Sequence, residues 1–132
     1  LIAEPDDDYS NLELVQPDRL RDNAARRFAM IVTVFRSRLM PGLREEYVAL
    51  VDRMVELAKA TPGYISHKGF FAEDGERCTI VEFESEEAQR VWRMNPEHRA
   101  AQRKGREIYY AAYSIQICEV KRESKFDRIA HG

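Results

Sequence analysis

FAMIVTVFRSRL, residues 28–39, is rich in β-branched and aromatic side chains and has the length of a strand. Phe28, Met30, Val32 and Val34 fall on one face, and Ala29, Ile31, Thr33 and Phe35 on the other. Both faces are largely apolar, which predicts a central strand covered on both sides.

Met40-Pro41-Gly42 breaks this strand, and from Leu43 the period changes. Leu43, Tyr47, Leu50, Met54, Leu57 and Ala58 recur at steps of three and four, the apolar stripe of a helix. Thr61-Pro62-Gly63 ends it. Two strand-like runs follow, at 64–72 and 77–84. Between them Asp74-Gly75 supplies the positive φ of a tight hairpin, so the two are expected to pair antiparallel. Ser85 then reads as a helix N-cap, with Ala88, Val91 and Trp92 as the apolar side of a short helix. Asn95-Pro96 starts a second helical piece, expected to run to about Tyr110, because proline suits the first position of a helix and cannot continue the one before. Residues 111–122 alternate Tyr113, Ile115 and Ile117 against Ser114, Gln116 and Cys118, and form the last predicted strand.

The order β-α-β-β-α-β predicts an α+β, ferredoxin-like domain with an antiparallel sheet. Helices cover one face of such a sheet, yet the first strand is apolar on both. The uncovered face therefore predicts a homodimer, two sheets meeting as a dimeric α+β barrel. The expected organisation is a flexible arm at 1–27, the domain at 28–122 and a polar tail at 123–132. The arm carries Asp6-Asp7-Asp8 and too few recurring apolar residues to bury a face.

A net charge of −2 over 132 residues disfavours nucleic acid as a partner, because phosphate binding needs a concentrated positive field. Arg99, Arg103, Lys104 and Arg106 are spread along a helical segment and read as a solvated face. The longest apolar run is too short for a membrane span. Cys78 and Cys118 form no CxxC and read as small buried strand residues, so a reducing, cytoplasmic setting is expected. The histidines lack metal-ligand spacing, and no glycine-rich phosphate loop or nucleophile elbow is present. No metal is expected, and hydrolase and nucleotide chemistry are disfavoured.

The strand MIVTVFRSRL, a long helix ending TPGY, a hairpin leading into VEFESEEAQRVW, then NPEH and YSIQICEV together resemble the antibiotic biosynthesis monooxygenase family. The resemblance runs from Phe28 to about Lys121, and its most specific part is Glu82 through Trp92 with Pro96 and His98. It implies the dimeric barrel. It also implies a pocket between sheet and helices for a small aromatic, polyketide-like or quinol substrate, oxidised without a cofactor. The family also includes haem-degrading oxygenases and many proteins of unknown role, and the alternative reading of this chain is a non-catalytic dimeric small-molecule-binding protein. The haem-degrading branch uses a strand asparagine and a histidine iron ligand. Those positions here are Phe35 and Ala101, so haem is disfavoured.

Trp92 matches the family's tryptophan near the pocket. It reads either as core or as a flat wall for an aromatic substrate. His98, in the first turn of a helix, is the candidate general base, because the positive helix end favours the neutral imidazole. Thr33 and Phe35 share the strand face expected to point at the helices, and with Tyr110 and Tyr113 are candidate pocket lining. His67, between Ser66 and Lys68, reads as exposed or inter-subunit.

Overall fold

The computed structural model describes residues 29–129. Its elements are β1 (Ile31–Leu39), α1 (Arg44–Lys59), β2 (Tyr64–Phe71), β3 (Arg77–Phe83), α2 (Glu86–Arg93), α3 (Pro96–Lys104), a π turn (Gly105–Tyr109) and β4 (Tyr110–Glu119). The four strands form one antiparallel sheet in the order β2-β3-β1-β4. This is the ferredoxin-like α+β fold that the patterning predicts. The expected arm lies outside the described residues.

β1 is central, between β3 and β4. Ile31, Thr33, Phe35 and Ser37 turn toward the helices and are buried. Register places Phe83, Val81, Thr79 and Arg77 of β3 beside them on that face. Tyr47, Val51, Met54 and Ala58 of α1 pack down on this layer, with Leu43, Leu50 and Leu57 at its margin. The opposite face carries Val32, Val34, Ile80, Cys78 and Cys118 and has no helix over it. The two thiols are therefore not the buried strand residues expected. Cys118 is exposed and Cys78 half-buried, because the alternation turns both away from the helices.

Local chemistry fixes the connections. Ser85 Oγ accepts from the Ala88 amide at 3.1 Å, and Asn95 Oδ1 accepts from the amides of Glu97 and His98 at 2.9 and 3.3 Å. Both predicted caps thus satisfy amides that the first turn leaves without partners. Gly63 has φ +92°, and a Cβ there would lie 2.7 Å from the Cβ of Ala88. Glycine is what lets the end of α1 turn closely against α2.

Two readings change. In α2, Val91 is exposed, while Gln89 and Arg93 are buried with Ala88 and Trp92. The inward stripe runs through 88, 89, 92 and 93 and so carries two polar side chains into the core. Arg93 bonds to Gln89, and Gln102 donates to the Arg93 carbonyl at 3.0 Å. The helix from Pro96 does not run evenly to Tyr110 either. α3 stops at Lys104, and the π turn widens the coil before β4. Consecutive residues Tyr109 and Tyr110 are both buried as a result. The cations Arg99, Arg103, Lys104 and Arg106 are all exposed, as expected of a solvated face. No helix of the described residues is long and apolar enough to cross a membrane.

Candidate active site

A cavity of about 420 Å³ opens where the first turns of α1 cross the end of the sheet. It is lined by Ser37 and Leu39 of β1, Arg44, Tyr47 and Val48 of α1, Phe71 of β2, Gly75 of the hairpin and Arg77 of β3. This volume suits a ligand of one or a few rings.

Its walls follow from strand alternation. Ser37 ends the inward row of β1, and Arg77 begins the inward row of β3, the two being register partners. Tyr47 projects from α1 onto this end of the sheet, 1% exposed, and its hydroxyl lies 2.8 Å from that of Tyr110. Burial raises the Tyr47 pKa, partly offset by the hydroxyl of Tyr110, the charge of Arg77 and the hydroxyl of Ser37. Tyr47 therefore stays a neutral phenol, able to donate, across the ordinary pH range. Behind the hydroxyl pair stands an aromatic block. Phe35 meets Tyr110 edge-on at 5.5 Å and stacks on Tyr113 at 5.9 Å, and the Tyr109 ring lies 5.8 Å from that of Tyr47. The π turn is what brings two successive tyrosines into this block, and such turns recur at functional sites.

The hairpin that carries Gly75 is tied to β1 from outside. Arg36 pairs with Glu76 at 2.7 Å and Arg38 with Asp74 at 2.6 Å. A backbone hydrogen bond from Glu76 and the Arg38 guanidinium hold the Asp74 carboxyl below its ordinary pKa.

The residues expected to form the site fall into two groups. Phe35, Tyr110 and Tyr113 come together behind the cavity. Trp92 and His98 also meet, but elsewhere, stacked on each other at 4.3 Å near Phe83. The Trp92 indole N–H donates to the Met54 carbonyl at 3.3 Å. His98 Nδ1 donates to the Trp92 carbonyl at 3.1 Å. They are 2% and 0% exposed, and neither lines the cavity. Thr33 is buried with them, accepting from Gln89 Nε2 at 3.4 Å. Ala101 and Phe35, where the haem-degrading branch has its ligand and its asparagine, are buried hydrophobic positions. With His98 enclosed as well, the residues present do not fit a haem. Among the described residues no group of three or more His, Cys, Asp or Glu is placed to hold a metal.

His67 is neither exposed nor on the outer face. It shares the helix side with Val81, half-buried, and its Nδ1 lies 2.7 Å from the Tyr64 hydroxyl. Burial, then the charges of Lys59 and Arg77, lower its pKa.

The sequence reading did not anticipate Ser37, Tyr47, Phe71 and Arg77 as lining of this cavity. A signal for two of them was present: Arg77 and Ser37 are polar residues that continue, in register, the inward rows of β3 and β1, as Thr79 and Thr33 also do.

Comparison with known proteins agrees with the fold. The family model for antibiotic biosynthesis monooxygenase matches residues 30–104, more than half of the chain. YqjZ of Bacillus subtilis (strain 168), an uncharacterised protein, is 34% identical over 80 residues, spanning 61% of this chain and 70% of that one. Among solved structures, a mutant of SnoaB, a cofactor-independent oxygenase from Streptomyces nogalater, superposes with a TM-score of 0.62 at 14% identity. The match covers 72% of this chain and 96% of SnoaB. Rv0793 from Mycobacterium tuberculosis superposes with a TM-score of 0.64 at 19% identity, covering 74% and 100%.

Proposed function

The chain belongs to the antibiotic biosynthesis monooxygenase family, and from that premise we propose a cofactor-independent monooxygenase acting on a small electron-rich aromatic, polyketide-like or quinol substrate. The observation that carries this reading is the cavity at the α1 end of the sheet, with the buried Tyr47–Tyr110 hydroxyl pair at its wall and an aromatic block behind. The fold relationship to SnoaB supports it.

In this reading the ring lies between Val48 and Phe71, and its oxygen accepts from Tyr47 and Ser37. Loss of a proton from a methylene beside a carbonyl gives an electron-rich anion. One electron passes to dioxygen, and the resulting ring radical and superoxide combine as a peroxide at carbon. Protonation and cleavage of the O–O bond release water and leave a new carbonyl. One atom of dioxygen stays in the product, and the other leaves with the two methylene hydrogens. The protein's part is to hold the ring, stabilise the developing oxyanion with preformed donors and limit water. Trp92 and His98 contribute by packing α2 and α3 onto the sheet.

We propose also that two copies pair through the helix-free face, where Val32, Val34 and Ile80 form an apolar centre. Light scattering at the mass of two chains would support this pairing, and a monomer at micromolar concentration would oppose it.

Oxygen uptake with a panel of hydroquinones and anthrones tests the activity. The expected result is saturable uptake, reduced about tenfold or more in kcat/KM by Tyr47→Phe, the scale of one lost oxyanion donor. Tight binding without uptake would make the chain a non-catalytic small-molecule binder. Neither binding nor uptake would defeat the reading.

A further inference from the structure

At the polar end of the cavity stands a guanidinium with no carboxylate partner among the described residues. Arg77 opens β3 on the helix side, in register with Ser37. Its Nε is buried and has no hydrogen-bond partner. Buried donors are nearly always paired, and a charged one left unpaired is costly, so this atom calls for an acceptor that the described residues do not supply. Two carboxylates of the adjoining hairpin are committed elsewhere, Glu76 to Arg36 and Asp74 to Arg38.

The berth of this guanidinium is built on neighbouring β2. A Cβ at Gly69 would lie 3.3 Å from Arg77 Nη2 and 3.4 Å from Nε, so the missing side chain leaves room for the group to lie against the strand. The Phe71 ring lies 5.8 Å from its Cζ. Arg44 lines the same cavity from α1, while Tyr47 and Ser37 bring hydroxyls. The lining holds two cations and two hydroxyls, with no carboxylate and no histidine. His67, on the same face of β2, is kept toward its neutral form by burial. Surroundings of this kind favour the ionised form of a bound hydroxyl.

We propose that Arg77 is a specificity-determining residue that receives an oxyanion borne by the aromatic ligand, so that the cavity selects a phenolate or enolate over the neutral phenol. This rests on the cavity being the ligand site proposed above, but not on the oxygenase chemistry. Ionisation sends the proton to solvent and leaves the negative oxygen on the Arg77 donors.

The test uses the full chain and 4-nitrophenol, whose neutral and ionised forms differ in colour and which undergoes no oxygenation of the kind proposed. Spectral titration against pH, with and without protein, reads the pKa of the bound dye. A fall of one unit or more is expected, equivalent to the phenolate binding at least about tenfold tighter than the phenol. Arg77→Gln removes that preference and Arg77→Lys keeps part of it, with unchanged far-UV circular dichroism. Should Arg77→Gln fail to fold, Gly69→Ala serves instead: the arginine remains but its berth narrows, and the preference is expected to weaken. A bound dye with an unshifted pKa, or a shift that survives Arg77→Gln, overturns the proposal. Benzoate competing as strongly as the phenolate would assign the site to aryl carboxylates and overturn the phenolate form. Oxygen uptake in a protein that fails this test would leave the monooxygenase reading intact and remove only the role of Arg77.

Discussion

The two ends of the helix-covered face are built from the same kinds of residue and finish differently. At one end Trp92, His98, Phe83 and Met54 close on each other, with the Trp92 and His98 ring N–H groups donating to backbone carbonyls. At the other, Tyr47, Tyr110, Phe35 and Tyr113 pack as closely among themselves but stop short of the hairpin. A cavity remains there, with hydroxyls and a guanidinium on its wall. Aromatic groups thus pack at both ends, and the cavity described lies beside those of the Tyr47 end.

The contrast breaks most visibly if the closed end is opened. Trp92→Ala is expected to cost about 3–5 kcal/mol of unfolding free energy, as for other large aromatics removed from a core. Urea unfolding followed by circular dichroism measures it. A loss well under 1 kcal/mol would mean that Trp92 is not the keystone of that end. Gly63→Ala attacks the same end through the backbone, forcing a Cβ into Ala88 at a positive φ. About 2–4 kcal/mol is expected, read from the same curves.

At the open end, function is expected to respond more than stability. Tyr47→Phe removes one hydroxyl from the cavity wall and keeps the ring, so about 1 kcal/mol of stability is at stake. Binding of an aromatic ligand or its turnover should fall about tenfold or more. If stability fell by several kcal/mol with ligand affinity unchanged, this end too would be ordinary core.

The smallest effect is one of pH. Burial raises the pKa of Tyr47 above its ordinary 10.0, so the folded state holds this proton more tightly than the unfolded state does. The resulting stabilisation is fully present below pH 10 and is lost as pH rises through the folded value. Wild type should lose stability in that alkaline window, and Tyr47→Phe should lose less. Parallel curves of unfolding midpoint against pH for the two proteins would contradict the buried-phenol account.

The fold was legible because it rests on periodicity, punctuation and caps. The two-faced β1, the stripe of α1, Asp74-Gly75, Ser85 and Asn95 all act locally, and all appear where the pattern puts them. Three matters were not legible. Val91 and Gln89 exchange places because a helix stripe read by hydrophobicity alone overlooks polar residues that bond to each other in the core. The π turn leaves no mark in Gly105–Tyr109, yet it delivers Tyr110 to Tyr47. The site itself depends on which end of the sheet the helices leave uncovered, a property of tertiary packing. Reading the inward rows for polar residues would have flagged Arg77 and Ser37, together with Thr33 and Thr79, which lie away from the cavity. Tyr47 would still have passed as one more member of a helix stripe.

The central claim is that small aromatics bind at the Tyr47–Arg77 end and not at the Trp92–His98 end. Two-dimensional ¹H–¹⁵N NMR tests it directly, because the single tryptophan gives one indole N–H signal for the closed end and the assigned Arg77 Nε–H reports the open one. Titration with 4-nitrophenolate or a hydroquinone kept free of oxygen is predicted to shift Arg77 Nε–H saturably while the Trp92 indole signal stays in place. A saturable shift at Trp92 with Arg77 unmoved would contradict the account and return the site to the stacked Trp92–His98 pair.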